Sequence, residues 1–419
     1  MVLTLCVNIW SAEMTKPHQY NAFVVSRLFG GLFGSAPTTG SSLSKILSFC
    51  LTDLFAPPVG SNIIVEVFFL HDRGKCFAVY TTCILLGTVA SGTFSGFIVQ
   101  SAAWPVQFWY NVGLEALVAV CCIFFLDETG WTRPNGEAFP LAPVAFTSRK
   151  AATYLFTRRL MPRRTAKELA RLAVLPFQVA LQPVTIVVGL ALMAYFAWSV
   201  AVQTFLSVFL QEPLIAGGYA FSPKRNAAFT FTQWVAIAAA QLYGHFVNDR
   251  LPLIICKRNG GNWHPEYRLH SLWFPILLTY PVGLGIFGAC LHYHWHYMVL
   301  AFAVFLITFS GVSGVAPCVN YVIEALSPAL ANEATAAMNF YRLALGIAIT
   351  FFLFPWAAAV GVQWVFGMMA FFTIVAFGAI LVVIVFGAKL RTLSLMHAEM
   401  RTEDGVKVIE ETKQGSAAA

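Results

Sequence analysis

The residues in this chain with chemistry to offer sit in unusual company. Arg27 and Glu115 each lie inside long apolar runs. A charge at membrane depth is costly, so it normally faces a cavity or a partner. Arg27, Gly31, Ser35 and Thr38 recur at helical spacing and form one small, polar face. This suits a cleft wall with an arginine facing a solute or a proton path. It also suits an arginine that snorkels to the outer surface. Glu115, five residues after Tyr110, is a candidate proton site, because desolvation disfavours a carboxylate. A glutamate at the outer interface remains the alternative. Tyr195, Ser199, Gln203 and Ser207 follow one another four residues apart, with Trp198 beside them. Polar groups on one side of a spanning helix line water or protein rather than lipid, so this stripe reads as cleft lining or as helix–helix hydrogen bonding. Trp234 and Gln241 lie on the next apolar segment. Ser310, Ser313, Pro317, Asn320 or Tyr321, and Glu324 mark a further face. Aromatic and amide groups of this kind suit a partly apolar organic solute.

The elements that position these residues follow from composition. Of 419 residues, 58% are hydrophobic and 11% charged, against about 25% charged in soluble domains. Residues 183–210 contain no charge at all, and about 20 such residues span a bilayer. The chain therefore reads as an all-α polytopic membrane protein. Expected spans are 1–14, 20–39 continuing near 59–70, 76–100, 107–126, 183–210, 226–247, 272–291, 297–322, 335–355 and 362–388. This divides the chain into a partial N-terminal bundle of about four spans (1–126), a basic linker (127–182), a complete six-helix bundle (183–388) and a polar tail (389–419).

Lysine and arginine placement sets orientation. If the linker faces the cytoplasm, 21 of the 26 basic residues fall inside, nine of them in the linker, and three fall in outer loops. Linker and tail are therefore expected to be cytoplasmic, against anionic headgroups. The net charge of +7 is explained this way and not by nucleic acid. The nine cysteines are scattered without a CxxC pair, so neither a disulfide framework nor a zinc site is expected. His292, His294 and His296 alternate in a short outer loop and read as interfacial residues. No cofactor, metal or catalytic residue is expected. The sequence contains no P-loop, HExxH or GxSxG.

Several phrases, in order, resemble fungal major facilitator transporters of the drug:proton antiporter type. They are SRLFGGLFG (26–34), VEVFFLHDRGK (65–75), FWYNVGLEAL with FFLDETGWTRP (108–117, 124–134), GHFVNDRLPL (244–253), WHPEYRL (263–269), NYVIEAL (320–326) and MNFYRLALG (338–346). The resemblance implies a major facilitator fold with an incomplete N-terminal bundle. It implies proton-coupled secondary transport of a small organic molecule by alternating access, at the plasma membrane and as a monomer. It also implies ion-pair latches at helix ends, from Asp249, Arg250, Glu324 and Arg342 in the second half and from Glu66 and Arg73 in the first. Three departures stand out. The first two helices of the plan, with their loop motif, are not found. Ser91 and Gly92 stand where relatives often carry Gly-Pro, which leaves the direction of transport open. Gly30 replaces a frequent glutamine. Poor transport by the chain as given is therefore expected, and a non-functional transporter remnant or a membrane-embedded enzyme are the alternatives. Residues 40–58 interrupt what would otherwise be one continuous helix, with Pro57 and Pro58 as breakers. They read as a re-entrant or external loop, or as a retained intron or misplaced exon border.

Overall fold

The computed structural model describes residues 2–14, 19–35, 70–125, 174–213, 218–326 and 330–392. The segment 40–58, the linker as far as 173, and Glu66 lie outside the described residues. The chain divides into two compact units, Met1–Val174 and Leu175–Ala419.

In the first unit, α1 (Val2–Glu13), α2 (Tyr20–Ser35), α3 (Leu70–Ser101) and α4 (Val106–Phe125) are helical. Helix α1 packs on α2 and on α4. Phe23, Trp104 and Phe108 form a triangle of edge-to-face rings, each pair 5.9 Å apart. The hydroxyls of Ser11 and Ser26 meet at 2.8 Å and are fully buried. This is a short polar rivet between two apolar helices, of the kind that replaces hydrophobic driving force in lipid.

Among its described residues, the second unit contains six helical rods in succession. The first is α5 (Pro183–Phe209). The second is built from α6 (Pro223–Phe229), α7 (Phe231–Tyr243), a π-turn at Gly244–Asn248 and α8 (Arg250–Arg258). The third starts as a 3₁₀ turn at Pro265–Leu272, widens to a π-segment at Trp273–Thr279 and continues as α9 (Tyr280–Tyr293). Then come α10 (Tyr297–Leu326), α11 (Ala331–Val360) and α12 (Val362–Thr392). Pro183 and Pro223 open their helices, where a missing N–H costs nothing. The side chain of Ser222 accepts the N–H of Arg225 as a cap. Gly361, at φ 94°, makes the tight corner between α11 and α12.

Six helices among the described residues are long and apolar enough to cross a membrane: Val106–Phe124, Pro183–Phe209, Pro265–Tyr293, Tyr297–Leu326, Glu333–Val360 and Val362–Arg391. Their outer faces are apolar, with Phe351 80% and Val385 70% exposed, as a lipid-facing surface requires. The helices meet through small residues. A Cβ on Gly283 would lie 2.9 Å from the Ile307 side chain, so α9 and α10 touch almost backbone to backbone. Two large buried cores result, beside a small one at Ala236, Ala240 and Phe309. One gathers Phe205, Tyr280, Phe287 and Phe366; the other gathers Val188, Leu272, Tyr321 and Phe377.

Candidate functional site

The polar stripe of α5 forms as its spacing predicts, but its members have different partners. Tyr280 is fully buried, and its hydroxyl donates to the Tyr195 carbonyl at 2.6 Å. Ser199 Oγ meets the same hydroxyl at 2.8 Å. One turn on, Gln203 is exposed, and its Oε1 accepts the Nε2 of Gln233, a buried residue of α7, at 2.9 Å. Each amide keeps its other edge, so the pair offers both a donor and an acceptor. Ser207 is exposed at the far end of the stripe and donates to the Thr204 carbonyl.

The other expected lining residues do not converge on one point within the unit. Trp198 is 7% exposed and stacks on Phe372 of α12. It lines an apolar groove of about 390 Å³ with Leu190, Ala194 and Val375. Trp234 is partly buried, with its ring against Phe231. Ser310 is fully buried, and its hydroxyl pairs with Thr279 Oγ1 in the neighbouring rod. The helix–helix reading of a polar stripe therefore describes Ser310. Ser313 is 2% exposed, and its hydroxyl has no hydrogen-bond partner. Its carbonyl accepts the Asn248 amide, at the end of the π-turn, at 3.4 Å.

In the first unit, Glu115 lies at the middle of α4. Its Oε1 accepts the Asn8 side-chain amide at 2.7 Å, while Oε2 is buried with no partner. Asn8, on α1, carried no role in the sequence analysis; a lone amide in an apolar helix was the available signal. Arg27 is exposed, and its guanidinium carbon stands 5.3 Å from the centre of the Phe108 ring. Arg73 lies in α3.

The ion pairs at these helix ends join other residues than the expected ones. Glu324 is bound by Arg268, Nε to Oε1 at 2.8 Å, with both side chains about one quarter exposed. Arg391 reaches Glu266 Oε1 at 2.9 Å. Asp249 and Arg250 are exposed, and Arg250 lies over the Phe246 ring. Among the described residues neither is paired with Glu324 or Arg342. The Glu266-x-Arg268 segment thus carries the two charges that tie the third rod to α10 and α12. Its proximity to two carboxylate–arginine partners far along the chain is not visible in local spacing. The segment is tightly fitted: a Cβ on Gly387 would lie 2.5 Å from Glu266 Oε1 and 3.0 Å from the Tyr321 hydroxyl.

A sequence profile of the Major Facilitator Superfamily matches residues 46–351. The chain belongs to that superfamily. The match begins inside the 40–58 segment and ends within α11. An uncharacterised transporter of Schizosaccharomyces pombe is 24% identical over 374 residues, covering 88% of this chain and 71% of its own length. The MFS transporter fsa7 of a Fusarium species is 23% identical, over 73% of this chain and 58% of its own length. The efflux pump radE of Floropilus chiversii is 24% identical, over 80% and 60% respectively. This superfamily chain is therefore a multi-pass membrane protein of a transport family, not of an enzyme family. The apolar rods and their buried polar ties are the parts of a major facilitator fold.

Proposed function

We propose that this chain carries a small organic molecule across the plasma membrane by alternating access, with proton movement coupled to the solute. Glu115 carries the reading. A carboxyl group at the middle of a spanning helix, with one oxygen held by Asn8 and the other buried and bare, is suited to gain and lose a proton as its surroundings change. Arg27, over Phe108 in the same unit, is the second candidate for proton linkage. The Gln203–Gln233 amide pair offers both hydrogen-bond senses to a neutral or polar group of the solute; Ser199 lies one turn away on the same helix, while Trp198, Trp234, Ser310 and Ser313 stand at separate places in the unit. The Arg268–Glu324 and Arg391–Glu266 pairs act as a latch on one state. Partly desolvated pairs of this kind bias a two-state equilibrium when only one state brings them together. Linker and tail face the cytoplasm in this reading. The name of the relative radE supports outward movement.

Counterflow in proteoliposomes tests the proposal. Vesicles loaded with an unlabelled aromatic acid, amide or amine (2-naphthoate, 2-naphthamide or 2-naphthylmethylamine) receive the labelled form outside. Saturable, protein-dependent overshoot, however slow, is expected for at least one of the three. Diffusional entry of all three, equal to that of protein-free vesicles, would overturn the reading.

A further inference from the structure

Arg342 is the twelfth residue of α11. At about 1.5 Å per residue it stands about 17 Å along the helix from Ala331. Its neighbour gives an independent measure of level. The guanidinium carbon lies 5.0 Å from the centre of the Phe196 ring, and Phe196 is the middle residue of the 27-residue α5. A Cβ on Gly346 would sit 3.4 Å from that same ring, which fixes α11 against α5 at this level. Orientation from sequence counts Arg342 with the cytoplasmic helix ends. The structure places it opposite the centre of a span.

A cation at that level needs a counter-charge. Arg342 is partly buried, and its Nε is buried with no hydrogen-bond partner. The ion pairs of this unit among the described residues, Arg268–Glu324 and Arg391–Glu266, do not include it. The Phe196 ring attracts the cation through its face but accepts no conventional hydrogen bond in the guanidinium plane. The planar fork of donors is therefore left to something outside these contacts. That fork matches a carboxylate, which it can bind through two parallel hydrogen bonds. One guanidinium cancels one charge, so a monoanionic carboxylate leaves the site neutral, whereas a dianionic phosphate leaves net charge at the middle of the span.

We propose that Arg342 binds the carboxylate of the transported molecule, with Phe196 as the platform that holds the guanidinium. This rests on the transport reading and narrows its substrates to organic acids with an apolar body. Phe196 and Val200, which flank the Gly346 contact, supply the apolar surface beside the charge.

The test uses the full chain, purified and reconstituted, with 2-naphthoate and its neutral isostere 2-naphthamide as probes. Wild type is expected to bind the acid about 10- to 100-fold more tightly than the amide, the range that hydrogen bonds to a charged group contribute. Arg342→Gln is expected to bind both equally. Arg342→Lys, which keeps the charge and loses the fork, falls between them. Without probe, Arg342→Gln is expected to melt at the wild-type temperature or above it, since it removes a buried charge that lacks a partner. Three results would overturn the inference: equal binding of the two probes by wild type, a carboxylate preference that survives in Arg342→Gln, or a large fall in that variant's melting temperature, which would reveal an acidic partner within the chain. If the amide or the amine shows counterflow while the acid is not bound, the anion site is wrong and the transport reading stands. If the acid binds as expected but no solute moves, the anion site stands and the transport reading fails.

Discussion

Replacing Glu115 by glutamine is expected to abolish uphill accumulation driven by a pH gradient while leaving downhill exchange. Glutamine retains an oxygen for the Asn8 amide, which now bonds Oε1 at 2.7 Å, so the α1–α4 tie survives. What disappears is the titratable proton. A single coupled proton sustains at most about a tenfold solute gradient per unit of pH difference, since one pH unit is about 1.4 kcal/mol. Wild type is expected to approach that ratio and Glu115→Gln to stay at unity, with counterflow rates within a few-fold of each other. Measuring both in the same vesicle preparation separates coupling from binding. Accumulation by Glu115→Gln at the wild-type ratio would remove this residue from the proton path.

The second large effect is structural and lies at Gly189. A Cβ there would fall 2.5 Å from a ring carbon of Tyr341, and real side-chain carbons do not approach so closely. The ring cannot simply swing away, because the Tyr341 hydroxyl donates to the Ala180 carbonyl at 3.0 Å. Helices α5 and α11 therefore meet through glycine, as membrane helices often do. Overpacking a well-filled contact costs about 1–3 kcal/mol even for small additions. Gly189→Leu is expected to lower the melting temperature sharply and to reduce the folded yield. Gly189→Ala in a Tyr341→Ala background is expected to cost much less than Gly189→Ala alone, because the obstructing ring is gone. Additive losses in that double variant would mean that the contact is not limiting.

The sequence made the spans legible because lipid imposes a simple rule. Long uncharged runs must be helical, and residues 183–210 or 362–388 could be little else. It was less informative where the chain bends that rule. Pro265–Leu272 is polar, and hydropathy starts the next span at 272. In the structure it is helical, and Glu266 is buried because Arg391 is beside it. Pairing between residues so far apart leaves no trace in local spacing, so Asp249 and Arg250 were expected beside Glu324, where Arg268 stands instead. The two π-segments add a residue to a turn without disturbing composition, so periodicity does not reveal them. Ser310 shows the limit of reading stripes. A hydroxyl on a polar face looks the same whether it lines water or bonds Thr279 across a helix contact. Arg342 lies further into its helix than its apolar run suggests, for a related reason. Its apolar run begins at 335, but α11 begins at Ala331, and the extra turn moves the arginine inward from the helix end.

Proton movement itself separates coupled transport from facilitated diffusion. Proteoliposomes holding trapped pyranine, with no pH gradient at the start, receive 2-naphthoate, 2-naphthamide or 2-naphthylmethylamine outside. Protein-free vesicles correct for passive diffusion of each solute. The solute showing counterflow is expected also to shift the internal pH, saturably and in proportion to its flux, and Glu115→Gln is expected to move the solute without the shift. Saturable solute flux in wild type with no internal pH change beyond that of protein-free vesicles would contradict proton coupling.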